Sequence, residues 1–95
     1  MPGWILESRN PEVLFRLPAG AVKTIGRDAK ADFILDAALV SRVHCRVTSA
    51  EKLTVEDLES TNGIQVNGKR VAKATLKAGD ILSVGRVDLE IKAAQ

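Results

Sequence analysis

Residues 64–71 read Ile-Gln-Val-Asn-Gly-Lys-Arg-Val, so that Asn67-Gly68 lies between two short runs of residues typical of β-strands. Asn and Gly both tolerate the positive φ that a type I′ turn requires at its two central residues. An Asn-Gly pair in this setting is the strongest short-range signal of a β-hairpin. The stretch therefore predicts two antiparallel strands joined by a tight turn.

Three longer runs alternate apolar and polar residues with the period of two expected of a half-buried strand. Their apolar members are Val13, Phe15 and Leu17; Val43, Cys45 and Val47; and Val87, Leu89 and Ile91. Shorter apolar runs occupy residues 4–8, 24–25, 33–35, 53–58 and 80–84. No segment keeps a helical period, although the Ala- and Lys-rich residues 71–78 could form one helical turn. The pattern predicts an all-β sandwich or barrel of many short strands.

Length and composition favour a single binding domain over an enzyme. The chain has 95 residues, of which 45% are hydrophobic and 27% charged, an ordinary globular composition. One domain takes about 100–200 residues, so we expect residues 1–95 to form a single domain with little room for a deep catalytic cavity. No signal peptide is visible, and no run approaches the ~20 apolar residues that cross a bilayer. We therefore expect a cytoplasmic, or otherwise intracellular, protein without a membrane partner.

Metal sites and nucleic-acid binding are also disfavoured. Cys45 is the only cysteine, which excludes an intramolecular disulfide and a cysteine-based zinc site, and its apolar neighbours predict a buried, inert thiol. We expect neither a metal nor a cofactor. The net charge of +2 comes from 14 basic and 12 acidic residues that are interleaved along the chain. Without a basic stripe, and with one Trp and two Phe as its only aromatic residues, the chain is not expected to bind nucleic acid.

Three predicted loops carry most of the polar chemistry. They are Gly26-Arg27-Asp28, Ser41-Arg42-Val43-His44 and Glu59-Ser60-Thr61-Asn62-Gly63. Loops gather at the ends of a sandwich, so these three can form one surface. Their guanidinium groups, hydroxyls and amide suit an oxyanion such as a phosphate monoester, which carries about −1.5 to −2 charges at neutral pH. The residue types alone leave phosphate, sulfate and carboxylate open.

Four motifs follow one another along the chain: Gly26-Arg27, Ser41-x-x-His44, Ser60-Thr61-Asn62-Gly63 and Val66-Asn67-Gly68. In this order and spacing they resemble the signature of forkhead-associated (FHA) domains, and residues 76–85 resemble a later segment of that family. The resemblance covers about residues 3–92. It implies a β-sandwich of about eleven short, mostly antiparallel strands. It further implies a module of Ser/Thr kinase signalling that binds phosphothreonine in partner proteins and catalyses nothing.

The resemblance also implies roles for individual residues. Arg27 and Ser41 are expected to contact the phosphate, and Arg42 and Thr61 to complete the cradle around it. Asn62 is expected to hold the backbone of the bound peptide. The residues expected to support these loops are Gly26, His44, Gly63, Asn67 and Gly68.

Two other functions fit parts of the same sequence. Ser41 and His44 could serve as the nucleophile and the base of a hydrolase, although the chain has no Gly-x-Ser-x-Gly motif. The main alternative is a phospho-independent scaffold or oligomerisation domain of the same fold. Otherwise a monomer is expected.

The charges around the loops leave the peptide preference open. Lys30 and Arg42 would favour an acidic residue beside the phosphothreonine, whereas Asp28 and Asp32 would oppose it. The sequence does not decide between them.

Overall fold

The computed structural model describes residues 3–94, and all of its regular elements are β-strands. The strands are β1 (Trp4–Arg9), β2 (Glu12–Leu17), β3 (Val22–Gly26), β4 (Phe33–Ile34), β5 (Cys45–Ser49), β6 (Leu53–Asp57), β7 (Ile64–Val66), β8 (Lys69–Val71), β9 (Lys73–Leu76), β10 (Ile81–Val84) and β11 (Val87–Ala93). This confirms the prediction of an all-β protein with about eleven short strands. Within the described residues there is no helix long and apolar enough to cross a membrane.

The strands form two sheets that share one hydrophobic core. The first sheet has six strands in the order β2-β1-β11-β10-β7-β8, and the second has five in the order β4-β3-β5-β6-β9. All neighbouring pairs are antiparallel except β3 and β4, which run parallel. Both sheets contribute buried side chains, among them Leu6 and Leu89 from the first and Ile25 and Val55 from the second. The architecture is therefore the predicted sandwich.

The period-two pattern is confirmed most fully in β11. Its residues from Val87 to Ile91 alternate between buried and exposed, because successive side chains of a strand point to opposite faces of the sheet. In β5 the alternation holds from Cys45 onwards, but the prediction that Val43 belongs to this strand is wrong. Residues 41–44 instead lie in a bent loop segment before the strand, in which the backbone N–H of Ser41 donates to the side chain of His44.

The predicted hairpin at Asn67-Gly68 is confirmed. Asn67 has a φ of 52° and Gly68 a φ of 83°, which are the two positive values of a type I′ turn between β7 and β8. A second turn with two positive φ values, at Gly85 and Arg86, joins β10 to β11. This turn carries an arginine in its second position, so its sequence lacks the Asn-Gly signal that revealed the first.

The segment that could have formed a helical turn is a strand. Residues Lys73–Leu76 form β9, which pairs with β6 at the edge of the second sheet. Leu76 is buried in the core there, while Thr75 pairs with Thr54. The open backbone edge of β6 thus decides a conformation that the Ala- and Lys-rich sequence left ambiguous.

Cys45 opens β5 and is fully buried, as predicted. Burial, together with the negative charge of Asp57, raises the pKa of the Cys45 thiol to about 12. Since the thiolate is the reactive form of cysteine, this side chain stays protonated at neutral pH and serves as a small apolar group in the core.

Strand register brings three loops to one end of the sandwich. Ile25 near the end of β3 pairs with Cys45 at the start of β5, and Cys45 pairs with Asp57 at the end of β6. The segments that follow β3, precede β5 and follow β6 therefore leave the second sheet at the same edge. They are residues 27–32, 35–44 and 58–63, and they contain the three loops singled out from the sequence except Gly26, which is the last residue of β3.

Candidate functional site

Backbone hydrogen bonds join the first two loops directly. The Arg27 N–H donates to the carbonyl oxygen of Ser41 at 2.9 Å, and the Asp28 N–H donates to the carbonyl oxygen of Arg42 at 3.1 Å. A Cβ atom on Gly26 would lie 2.0 Å from the carbonyl oxygen of Arg42. Only glycine therefore lets the two loops approach this closely, which is the physical reason for the Gly26-Arg27 pair.

Arg27 is exposed and is held at its base. Its Nε donates to the carbonyl oxygen of Val40 at 3.0 Å, which fixes the guanidinium plane and leaves the two terminal nitrogens for a ligand. The two ion pairs in residues 3–94, Arg46–Glu56 and Lys92–Glu7, do not involve it. The positive charge of Arg27 is thus not neutralised by a carboxylate within the described structure.

The second and third loops meet through a serine hydroxyl. The Oγ of Ser41 accepts a hydrogen bond from the Thr61 N–H at 3.1 Å. Because that bond uses an acceptor position, the hydroxyl hydrogen of Ser41 remains a donor. The Thr61 side chain is exposed beside it and offers a second hydroxyl.

These side chains line one open pocket, here called the phosphate pocket after the contacts that the sequence predicts for it. Its lining residues are Arg27, Lys30, Ser41, Arg42, Val43, Glu59 and Thr61. All four residues for which the sequence predicted phosphate contacts are among them. Lys30 adds a third cation, and Glu59 adds a carboxylate for which the sequence analysis proposed no role.

Asn62 lines a neighbouring groove rather than the phosphate pocket. Its Nδ2 donates to the carbonyl oxygen of Leu39 at 2.9 Å, which ties the third loop to the segment before Ser41. The groove continues past Gly63 to Arg86 in the turn between β10 and β11. Thr61 lines the phosphate pocket and Asn62, the next residue, lines the groove, so the two meet at this point of the third loop.

His44 is fully buried beneath the loops and connects two of them. Its Nδ1 accepts the Ser41 N–H at 2.9 Å, and its Nε2 lies 2.8 Å from the carbonyl oxygen of Gly63. A backbone N–H can only donate and a carbonyl can only accept, so the proton of the neutral ring is on Nε2. Both nitrogens are committed to the backbone, and neither bonds to the Ser41 hydroxyl. The geometry thus lacks the nucleophile–base pair that a hydrolase needs.

A short network that the sequence analysis missed fixes the third loop. The carboxylate of Asp57 accepts the Ser60 hydroxyl at 2.5 Å and the Ser60 N–H at 3.2 Å. The Oγ of Ser60 in turn accepts the Gly63 N–H at 2.8 Å. An Asp three residues before a Ser is the local signal for such a turn, since both side chains readily bond to nearby backbone. Thr61 and Asn62 lie between these two anchors.

Asn67 and Gly68 lie away from the three loops. They follow β7, whereas the third loop precedes it, so the length of β7 separates them from the phosphate pocket. Asn67 donates from Nδ2 to the Asp80 carboxylate at 3.0 Å and accepts the Ile81 N–H at 2.9 Å. The hydrogen bonds from Asn67 and from the Lys77 backbone hold the pKa of Asp80 below its usual value. The pair therefore organises the opposite end of the sheet.

The two aspartates that left the peptide preference open do not line the phosphate pocket. Asp28 accepts the Lys30 N–H at 2.9 Å within its own loop. Asp32 accepts the Thr24 N–H at 2.9 Å, and this hydrogen bond lowers the pKa of the Asp32 carboxyl. Both carboxylates thus brace the first loop.

Comparison with known proteins identifies one family. The sequence model described as "FHA domain" matches residues 23–85. The ABC transporter ATP-binding/permease protein Rv1747 of Mycobacterium tuberculosis is 40% identical over 74 residues, which are 77% of this chain and 8% of the transporter. This chain therefore spans only a small part of the length of that relative.

Solved structures agree with the sequence match. The FHA domain of the CT664 protein from Chlamydia trachomatis is 26% identical and superposes with a TM-score of 0.87, covering 95% of this chain and 96% of that one. Mycobacterium tuberculosis EmbR, solved in complex with a low-affinity phosphopeptide, is also 26% identical, with a TM-score of 0.86. That match covers 99% of this chain and 25% of EmbR.

Proposed function

The chain belongs to the FHA domain family, and on that premise we propose that it is a phosphothreonine-dependent protein–protein interaction module that binds without catalysis. One observation carries the proposal. Arg27, Ser41, Arg42 and Thr61, which come from three separate loops, line a single exposed pocket. The phosphopeptide complex of EmbR gives further support, because that protein shares the fold over almost the whole of this chain.

The phosphate is held by complementary charge and by donors already in place. The terminal nitrogens of Arg27 form charge-assisted hydrogen bonds to two phosphate oxygens, each contributing about 1.5–3 kcal/mol. Arg42 and Lys30 add positive charge from the same pocket. The hydroxyls of Ser41 and Thr61 donate to the remaining oxygens. Because Arg27 is fixed by Val40 and Ser41 by Thr61, little ordering is required on binding.

The peptide backbone crosses Asn62. Its Nδ2 is engaged with Leu39, so its Oδ1 accepts a backbone N–H from the peptide without disturbing the loop. The residues beyond the phosphothreonine then enter the neighbouring groove toward Arg86. Each domain binds one phosphothreonine in one partner chain and acts as a monomer inside the cell.

Three peptides of one sequence, carrying phosphothreonine, phosphoserine or threonine, test the proposal by fluorescence anisotropy. We expect the phosphothreonine peptide to bind at least about a hundredfold more tightly than the threonine peptide, since two or more charge-assisted bonds are lost without the phosphate. Phosphoserine is expected to bind about fourfold more weakly than phosphothreonine, because one methyl group contributes about 0.8 kcal/mol on burial. Equal binding of the phosphorylated and unphosphorylated peptides would instead favour the phospho-independent scaffold.

Binding of the phosphothreonine peptide is also expected to weaken as pH falls from 7.5 to 5. The second pKa of the phosphate is about 6, so the ligand loses one of its two negative charges over this range, and the attraction to Arg27 declines with it. Titrations at several pH values measure the effect, and circular dichroism at each pH checks that the domain remains folded. Affinity that stays constant across this range would contradict recognition of the dianion.

A further inference from the structure

Glu59 is the only acidic residue among the described residues that line the phosphate pocket. Its backbone has a φ of 55°, in the left-handed region that a residue with a Cβ atom rarely adopts. The exposed side chain at this strained position lines the same pocket as three cations. A carboxylate inside an anion-binding pocket opposes the ligand, so its presence there calls for a role.

The carboxylate of Glu59 has no ionic partner within residues 3–94. The two ion pairs in this part of the chain are formed by other carboxylates, those of Glu56 and Glu7. Of the other acids near the first loop, Asp28 accepts the Lys30 N–H within that loop, and Asp32 accepts the Thr24 N–H of β3. Glu59 is therefore the acidic group that is available to a ligand at this site.

The balance of charges in the pocket indicates which kind of peptide residue the Glu59 carboxylate recognises. Arg27, Lys30 and Arg42 supply three positive charges around the pocket. A bound phosphate brings about two negative charges, and the Glu59 carboxylate supplies one more. With the phosphate bound, the site has no excess positive charge for an acidic residue of the peptide. A basic residue placed beside the phosphothreonine meets the Glu59 carboxylate.

We propose that Glu59 makes the site select phosphothreonine peptides that carry a basic side chain beside the phosphothreonine, and disfavour those that carry an acidic one. The inference rests on the proposed phosphothreonine binding and specifies the class of peptide. Glu59 lines the phosphate pocket and Asn62 lines the neighbouring groove, so the selected position lies on the side of the phosphothreonine away from that groove.

Peptides with alanine around one phosphothreonine, and with a single Lys or Glu at each of three positions on either side, provide the test. At one position we expect the wild-type domain to bind the Lys peptide about threefold to tenfold more tightly than the Glu peptide, the range expected of an exposed ion pair combined with relief of repulsion. Glu59→Gln is expected to bring that ratio close to one. Glu59→Lys is expected to reverse it.

Glu51→Gln serves as the control, because Glu51 is an exposed carboxylate in the turn between β5 and β6, at the far end of the same sheet. It removes the same charge and is expected to leave every ratio unchanged. A ratio that survives in both Glu59 variants, or that changes equally in Glu51→Gln, would overturn the assignment while phosphothreonine binding stands. Failure of all phosphopeptides to bind would overturn the proposed function and this inference together.

Discussion

Replacement of Arg27 by alanine is expected to lower the affinity for a phosphothreonine peptide by a hundredfold or more. Two charge-assisted bonds to the phosphate contribute about 3–6 kcal/mol, and each 1.4 kcal/mol corresponds to a factor of ten in the dissociation constant. The fold itself loses little, because the side chain is exposed and its one bond within the described protein is from Nε to the carbonyl oxygen of Val40. The free energy of unfolding, measured in urea, is expected to fall by about 1 kcal/mol.

Two variants make the Arg27 experiment specific. Arg27→Lys keeps the charge but removes the planar fork and the Nε donor, so its affinity is expected to fall between wild type and Arg27→Ala. Arg16→Ala removes an exposed arginine from β2, in the other sheet, and is expected to bind like wild type. If Arg27→Ala retains wild-type affinity, the phosphate pocket is not the binding site. If Arg16→Ala weakens peptide binding as much as Arg27→Ala does, the loss of affinity comes from the change in net charge and not from a contact of Arg27.

The strands could be predicted wherever the deciding physics is local. Asn67-Gly68 specifies its own turn through backbone conformation, and the alternation in β11 records one buried face. The strand at Lys73–Leu76 could not be predicted in this way, because its Ala and Lys residues do not decide between a strand and a helical turn. It becomes a strand by completing the hydrogen bonds of β6, a partner about twenty residues earlier in the chain.

The phosphate-pocket residues could be predicted because their types suit an oxyanion and their spacing resembles a family signature. The contacts that the acidic side chains near the pocket make could not be predicted from the sequence. Asp28 accepts a backbone N–H from Lys30 in its own loop and Asp32 accepts one from Thr24 in β3, whereas Glu59 lines the pocket. That distinction depends on which backbone N–H groups each carboxylate can reach in the folded loop. The type and order of the residues do not show which backbone N–H groups these will be.

Replacement of His44 by alanine is expected to have the largest effect on stability. The side chain is fully buried, and its loss leaves the Ser41 N–H and the Gly63 carbonyl without the partner that satisfies them, in addition to a cavity. Together these terms cost about 3–5 kcal/mol, a large fraction of the 5–15 kcal/mol that stabilises a typical domain. Urea unfolding, followed by the fluorescence of Trp4, the only tryptophan, measures the change.

Cys45→Ala is the control that separates the effect of losing the His44 hydrogen bonds to the loops from the effect of truncating a buried side chain. Cys45 is the next residue, is equally buried, and is not expected to contact the peptide, so its replacement should cost about 1 kcal/mol and leave phosphopeptide affinity unchanged. His44→Ala, measured where it is still folded, is expected to bind about threefold to tenfold more weakly, because the loops carrying Ser41 and Thr61 must then be ordered by the peptide. Unchanged affinity in this variant would mean that the remaining bonds, from Arg27 to Val40 and from Thr61 to Ser41, suffice to preorganise the pocket.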